Sequence, residues 1–303
     1  MTCHVLLDPV GSHHWLRGVL HRLKEAGVTV HATLPFRLLR GRTRRDMRNH
    51  RKLFLIDGVI GYAGSQNIVA KDFRPAITNC ELVARVPGPV VAEMSAVFLA
   101  DWYLETERLL DAAPTIPANA GTATMQLLPS GAAYPLEGLQ NLLIWQIHEV
   151  RERVVIVTPY LIPDEGLLGA LRTATLRGVE IDLIVSAVAD QMLVSLAQSS
   201  YYDELLVSGI RIHRFRTFLL HAKNITIDNR LAILGSSNVD IRSFQLNEEI
   251  SLLLFDRSSI ARLQMIQQDY LARSDEVTLE DWRKRNGLRK LAENAARLVS
   301  PLL

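Results

Sequence analysis

Two stretches of this chain carry the same sparse set of reactive side chains. "NHRKLFLIDG" (49–58) places Lys52 two residues and Asp57 seven residues after His50, and "LHAKNITIDN" (220–229) repeats that spacing with His221, Lys223 and Asp228. The offsets from His50 to Gly64, Ser65 and Asn67 equal those from His221 to Gly235, Ser236 and Asn238, so H-x-K-x4-D-x6-G-S-x-N is written twice. Further on, "NCELVARV" (79–86) matches "NEEISLLL" (247–254) and sets Glu81 against Glu249.

These residue types suit displacement at a phosphodiester. Lysine and asparagine can hold the nonbridging oxygens while an imidazole attacks phosphorus. A second imidazole can protonate the leaving alkoxide and then deprotonate the incoming alcohol or water. One histidine cannot hold both roles at once, which gives a physical reason for two copies facing each other. His50 and Lys52 share a face if the stretch is extended, as do His221 and Lys223. Ser65, Asn67, Ser236 and Asn238 are candidate phosphate-binding residues, with Gly64 and Gly235 allowing close approach. Glu81 and Glu249 are candidates to accept from the far ring nitrogen of each histidine and fix its tautomer. Asp57 and Asp228 complete the catalytic motif, but their strand parity is opposite to that of the histidines and points to a supporting role. The symmetry leaves open which histidine attacks.

A lone His-x-Lys pair would mean little. Here seven positions recur in two copies, and only six of the 34 basic residues are lysine, two of them in the motif. The other histidines lack this context and are read as structural.

The elements that must position these residues repeat as well. "LKEAGVTVHA" (23–32) parallels "LLVSGIRIHR" (205–214), so a whole unit is duplicated. The second half alternates strand and helix: strands near 124–130, 153–160, 179–186 and 210–215, with helices over 136–150, 165–177 and 191–207. Strands over 221–228, 231–237 and 249–255 and a helix over 257–273 follow. The expected fold is α/β, two similar lobes, each a mixed sheet flanked by helices. Residues 1–110 form the first lobe, 111–123 an Ala/Pro/Thr-rich linker, and 124–303 the second lobe with a C-terminal helical tail. "CHVLLD" (3–8) aligns with "EIDLIVS" (180–186), so the first lobe has no counterpart to the elements over 124–177. It is expected to be incomplete, with a sheet edge and an apolar face uncovered, and less stable than a longer version.

Composition narrows the context. The 303 residues, 48% hydrophobic and 22% charged, are those of a globular protein. A net charge of +2 gives no argument for nucleic acid, although Arg37, Arg40, Arg42, Arg44, Arg45, Arg48, Arg51 and Lys52 crowd just before and into the first motif and suit an anionic ligand or surface. Cys3 and Cys80 are the only cysteines, so neither a disulfide framework nor a zinc site is indicated and a reducing compartment is expected. No apolar run is long enough to span a bilayer and no signal peptide is evident, so membrane contact is expected to be peripheral.

The doubled motif resembles that of the phospholipase D superfamily. "RNHRKLFLIDGVIGYAGSQNI" (48–68), "VPGPVVAEMSAVFLADW" (86–102), "TPYLIPDEGLLGALRTATLRGVEIDLIV" (158–185), "FLLHAKNITIDNRLAILGSSNVDIRSFQLNEEISL" (218–252) and "RLVSPLL" (297–303) are more closely similar to bacterial cardiolipin synthases. The resemblance implies phosphatidyl transfer between two phosphatidylglycerol molecules with release of glycerol, through a phosphohistidine at His50 with His221 as acid and base. It implies no metal or other cofactor, and work at an anionic membrane surface on its cytoplasmic side. Family members commonly begin with membrane-spanning helices and a complete first lobe, which are not found in this sequence. Competing readings are a phospholipase D-type hydrolase or nuclease, and an inactive homologue that binds a membrane or a protein partner.

Overall fold

The computed structural model of the chain describes residues 2–12, 15–34, 47–70, 77–110, 116–131, 134 and 137–300. Arg37, Arg40, Arg42, Arg44 and Arg45 of the basic cluster, His13 and His14, residues 111–115 of the linker and the closing 301–303 lie outside the described residues.

The first half opens with β1 (His4–Leu7), α1 (Leu16–Glu25) and β2 (Thr29–Ala32). β1 and β2 pair in parallel, a geometry that needs a crossover, and α1 supplies it with Leu16, Val19, Leu20 and Leu23 at helical spacing. β3 (Leu53–Ile56), β4 (Ile60–Gly64) and, after the two-residue β5 (Asn79–Cys80), β6 (Val83–Pro87) form an antiparallel sheet in the order β3-β4-β6. α2 (Val90–Thr106) buries Val91 and Met94 in one cluster with Ala63 and Val86 of that sheet.

The second half runs β7 (Met125–Ser130), α3 (Gly138–Glu149), β8 (Arg153–Val157), β9 (Leu161–Ile162), α4 (Glu165–Leu176) and β10 (Glu180–Ser186). It continues with α5 (Met192–Ser200), α6 (Tyr202–Val207), β11 (Arg211–Phe215), β12 (Leu219–Leu220), β13 (Asn224–Ile227), β14 (Leu231–Gly235), β15 (Val239–Asp240) and α7 (Ile241–Gln245). β16 (Glu249–Leu254), α8 (Arg257–Ala272), β17 (Ser274–Val277), α9 (Leu279–Arg283) and α10 (Gly287–Val299) close the chain. Eight strands make one mixed sheet in the order β17-β11-β10-β8-β13-β14-β16-β7, parallel across β11-β10-β8 and antiparallel elsewhere. The mixed α/β architecture is the one the alternating pattern predicts.

Local differences have local causes. The helix expected over 191–207 is two helices that meet at Tyr201; Tyr201 and Tyr202 are both buried, the latter against Trp282 with its hydroxyl accepting from Gln198. The edge strand β17 is too short and polar to show in the apolar pattern.

Where the sequences repeat, the geometry repeats to the residue. Leu53 pairs with Ala63 and Asn224 with Leu234; Gly64 pairs with Val83 and Gly235 with Ser251. Both β-turns carry their aspartate in the left-handed region, Asp57 at φ 53° and Asp228 at φ 49°. Aspartate tolerates this conformation better than most residues, which explains its place in each copy. Each glycine at the strand end lies against the neighbouring strand, so that a Cβ would sit 2.3 Å from the Leu82 carbonyl oxygen at Gly64 and 2.4 Å from that of Ile250 at Gly235.

Those contacts are with backbone, which cannot yield without breaking the sheet. Gly64→Ala and Gly235→Ala are each expected to lower stability by about 3 kcal/mol or more. Denaturant unfolding measures this, and an unchanged midpoint in either variant would refute the close approach.

Candidate active site

Each His-x-Lys segment lies in an extended lead-in just before its strand, 50–52 before β3 and 221–223 before β13. The backbone that holds it belongs to the other copy. The His50 N–H donates to the Glu248 carbonyl at 2.9 Å, and the His221 N–H donates to the Cys80 carbonyl at 2.9 Å. β12 runs parallel to β5, and Asn49 forms the matching parallel bridge to Glu248. The two copies are thus joined by a pair of reciprocal short ladders, the pattern of an isologous contact within one chain.

The imidazoles cross over in the same way. His50 Nδ1 is 2.8 Å from Glu249 Oε1, and His221 Nδ1 is 2.9 Å from both oxygens of Glu81. A carboxylate only accepts, so Nδ1 carries the proton of each neutral ring and Nε2 keeps its lone pair. Glu249 is fully buried and Glu81 is mostly so. Ser65 Oγ donates to Glu81 at 2.5 Å and Ser236 Oγ donates to Glu249 at 2.5 Å. Each hydroxyl also accepts the next backbone N–H, from Leu82 at 2.9 Å and from Ile250 at 3.0 Å. Asn79 donates to Glu81 at 3.2 Å and Asn247 to Glu249 at 3.5 Å.

Ser65 and Ser236, expected beside a phosphate, therefore clasp the carboxylates that orient the histidines. Their hydroxyl protons are already committed there. Asn67 is half-buried, whereas Asn238 is buried and its side chain bonds to Asp240. Asp228 sits behind the site, accepting backbone N–H bonds from Arg151, Glu152 and Arg153 at 2.9 to 3.1 Å; Asp57, in the same kind of turn, is exposed.

Lys52 and Lys223 are buried and donate to the carbonyls of His50 at 2.8 Å and His221 at 2.6 Å. An ammonium has three donors, so each retains capacity for an anion. Burial pushes Lys52 down to about 8 against the pull of Glu249 and Glu81, and burial with the nearby charge of Lys52 pushes Lys223 down to about 7. The two ammoniums are balanced by Glu81 and Glu249, but their burial disfavours holding both protons, and an anion beside them would favour the charged forms. Burial also lowers the His50 pKa although Glu249 opposes it, and burial followed by Lys223 lowers His221 to about 4. Burial works against the charge of Glu81 and Glu249, but the histidines they face outweigh it and hold both below the usual range.

Arg51 stands where the second copy has Ala222, so the repeat does not mark it. Its guanidinium pairs with Asp101 at 2.5 Å and Glu248 at 2.6 Å and donates to the Glu249 carbonyl at 3.2 Å. The opposite seam has Ala222, Cys80 and Tyr270 in an apolar cluster. The repeat also displays Asn79 and Asn247, two residues before each glutamate.

Among the described residues no group of three or more His, Cys, Asp or Glu side chains is disposed to hold a metal ion, and no helix is long and apolar enough to cross a membrane.

Residues 143–270 match the family described as cardiolipin synthase, PLD-like domain. Over 312 residues the chain is 36% identical to cardiolipin synthase A of Serratia proteamaculans (strain 568), covering 99% of this chain and 64% of that protein. It is 37% identical to cardiolipin synthase A of Erwinia tasmaniensis over the same shares, and 35% identical to that of Proteus mirabilis (strain HI4320), covering 100% of this chain and 65% of the relative. The chain spans about 64% of the length of these curated relatives. The fold is similar to the crystal structure of phosphatidylserine synthase from Haemophilus influenzae Rd KW20, with a TM-score of 0.69 at 15% identity, over 86% of this chain and 72% of that one. Residues 143–270 thus carry a PLD-like domain. Bacterial cardiolipin synthases such as these are similar to the chain along nearly its whole length.

Two measurements probe the site. Arg51→Met leaves Asp101 and Glu248 without their shared cation and is expected to cost about 3–5 kcal/mol; equal unfolding midpoints for variant and parent would refute this role of the ion pairs. The folded pKa of His221, about 4, lies below the ordinary imidazole value of 6.5, so the unfolded chain binds this proton more readily between those values. Its contribution to stability is present above about pH 6.5 and is lost as pH falls toward 4. His221→Gln should flatten that part of the stability-against-pH curve, and an unaltered slope would count against the burial effect.

Proposed function

We propose that the chain is a phosphatidyltransferase that forms cardiolipin from two phosphatidylglycerol molecules and releases glycerol. The observation that carries this reading is the crossed pair of histidines, each held by a glutamate of the other copy and each left with an unprotonated Nε2. Nε2 of one histidine attacks phosphorus, a phosphorus–nitrogen bond forms, and the bond to the glycerol oxygen breaks. The other histidine gives that oxygen its proton. In the second half, the same histidine takes a proton from a hydroxyl of the next phosphatidylglycerol, whose oxygen displaces the histidine from phosphorus. Atoms and charge return to the starting enzyme.

His50 is assigned as the nucleophile on the family resemblance, and its side chain is 27% exposed against 11% for His221. His221, held neutral in the empty pocket, gains its proton more readily once an anionic phosphodiester lies beside it. Lys52 and Lys223 hold the nonbridging oxygens, and Asn67 is assigned beside them. Ser65, Ser236, Glu81 and Glu249 keep the imidazoles oriented, and Asp57 and Asp228 belong to the turns behind them. The substrate surface is an anionic membrane, met peripherally by this portion of the chain on its cytoplasmic side; nucleic acid is not expected as a substrate.

Incubation with phosphatidylglycerol vesicles should yield cardiolipin and glycerol, and His50→Ala and His221→Ala should each reduce turnover by about 10³-fold or more. Phosphatidic acid as the sole lipid product would make the chain a hydrolase, and turnover preserved in either variant would refute the shared site. A labelled lipid should leave its phosphorus on His50. Anion binding offers an independent check: with the lysines at about 8 and 7, adding inorganic phosphate at pH 8 should draw protons from buffer. Calorimetry in buffers of different ionisation enthalpy reads this uptake, and a binding heat independent of buffer would oppose it.

A further inference from the structure

Cardiolipin carries two phosphodiesters joined through one glycerol, so the acceptor in the reaction read above already bears a phosphate of its own. A site that serves this reaction needs a second place for an anion, one glycerol away from the phosphorus that reacts. Hydrolysis needs none.

The segment that carries His50 offers such a place. Asn49 and Arg51 both reach Asp101, at 3.4 Å and 2.5 Å, so the alternate residues Arg48, His50 and Lys52 share the opposite face of the extended lead-in. Two residues of extended chain advance about 6.6 Å, of the order of the three carbons and two oxygens that separate the phosphorus atoms of cardiolipin. The backbone fixes Arg48 here, its carbonyl accepting the Glu248 N–H at 2.8 Å beside the bond from His50 to Glu248. Its side chain is less fully engaged. Nη1 is buried and has no hydrogen-bond partner, and an unmet buried donor costs free energy that an anion would recover. Asp8 favours the charged form of Arg48, but it also favours that of Lys52 and accepts the N–H groups of Val10 and Gly11 at 2.8 and 3.1 Å.

Arg242 stands near Arg48. Its carbonyl accepts the N–H groups of Leu246 and Asn247 at 2.9 and 3.0 Å, so the end of α7 turns directly into Glu248 and Glu249. Burial lowers the Arg48 pKa, and the charge of Arg242 adds to that lowering against the pull of Asp8. Two guanidiniums held together beside the site repel each other and favour an anion between them. The second copy differs at this point. The offset from His50 to His221 sets Leu219 opposite Arg48, and Leu219 is buried where β12 pairs with β5. The extra cation therefore marks one side of a site whose reacting residues are symmetric.

We propose that Arg48 and Arg242 form a second anion subsite, which holds the phosphodiester of the acceptor phosphatidylglycerol while its terminal hydroxyl reaches the phosphohistidine. The subsite rests on the transferase reading given above and deepens it. It makes and breaks no covalent bond: it places the acceptor hydroxyl and, after transfer, holds the second phosphate of cardiolipin. The fork of guanidinium N–H groups suits the two nonbridging oxygens of a diester.

Two soluble head groups test this on the full chain by calorimetry: deacylated phosphatidylglycerol, with one phosphodiester, and deacylated cardiolipin, with two. The parent is expected to bind the second about tenfold or more tightly than the first, and Arg48→Gln should bring the ratio down to about twofold, the value that two equivalent phosphates give by statistics. Arg242→Gln serves as the second variant should Arg48→Gln alter the melting curve, with the same result expected. Equal affinities in the parent, or an excess that survives both substitutions, overturn the subsite. Turnover gives a second reading. With labelled phosphatidylglycerol as donor, the parent should prefer deacylated phosphatidylglycerol over glycerol as acceptor by about tenfold or more, and a preference that persists in Arg48→Gln likewise overturns it. A parent that transfers to neither acceptor would sink the transferase reading, while the calorimetric ratio still decides the subsite.

Discussion

The structure depends on one reciprocal exchange: each histidine hangs from the copy that did not supply it. Its backbone N–H is bound by a carbonyl of the other copy, and its Nδ1–H by a glutamate of the other copy. Hydrogen bonds to ionised groups in a buried setting are the strong ones, and here two of them lie across the seam. Moving one copy relative to the other would disorient both imidazoles together. The serines and asparagines then fix the glutamates, so the orientation of each ring traces back to the rigid β4-β6 or β14-β16 ladder.

Around this exchange the two seams are chemically unlike. One is closed by Arg51 between Asp101 and Glu248, the other by Ala222, Cys80 and Tyr270 in apolar surroundings. A buried ion pair brings no assured net stability, but it penalises any arrangement in which its members are apart. The charged seam specifies the apposition, while the apolar seam tolerates it. Lys52 and Lys223 oppose both, since their buried charges repel across the pocket, and an anion between them turns that repulsion into attraction.

Much of this was legible in the sequence, and the limits follow from what spacing encodes. The offset between copies gave the histidines, lysines and glutamates because a repeated interval needs no knowledge of packing. It could not say that Glu81 serves His221 and Glu249 serves His50, since that depends on how the copies meet. A glycine-serine turn suggests approach to an anion, yet the hydroxyls of Ser65 and Ser236 are aimed back at the carboxylates. Arg51 was invisible to a search for sameness because Ala222 replaces it. The helical period continues through Tyr201, so spacing alone shows no sign of the break between the two helices there.

Arg51 and Ala222 occupy equivalent places, yet only one of them is charged. Two separate identical chains facing each other across a twofold axis could not differ in this way, because any residue placed in one seam would appear in the other. Joining both copies in one polypeptide lifts that restriction. Each position can then be selected on its own, so a symmetric frame can assign unequal duties to its two halves.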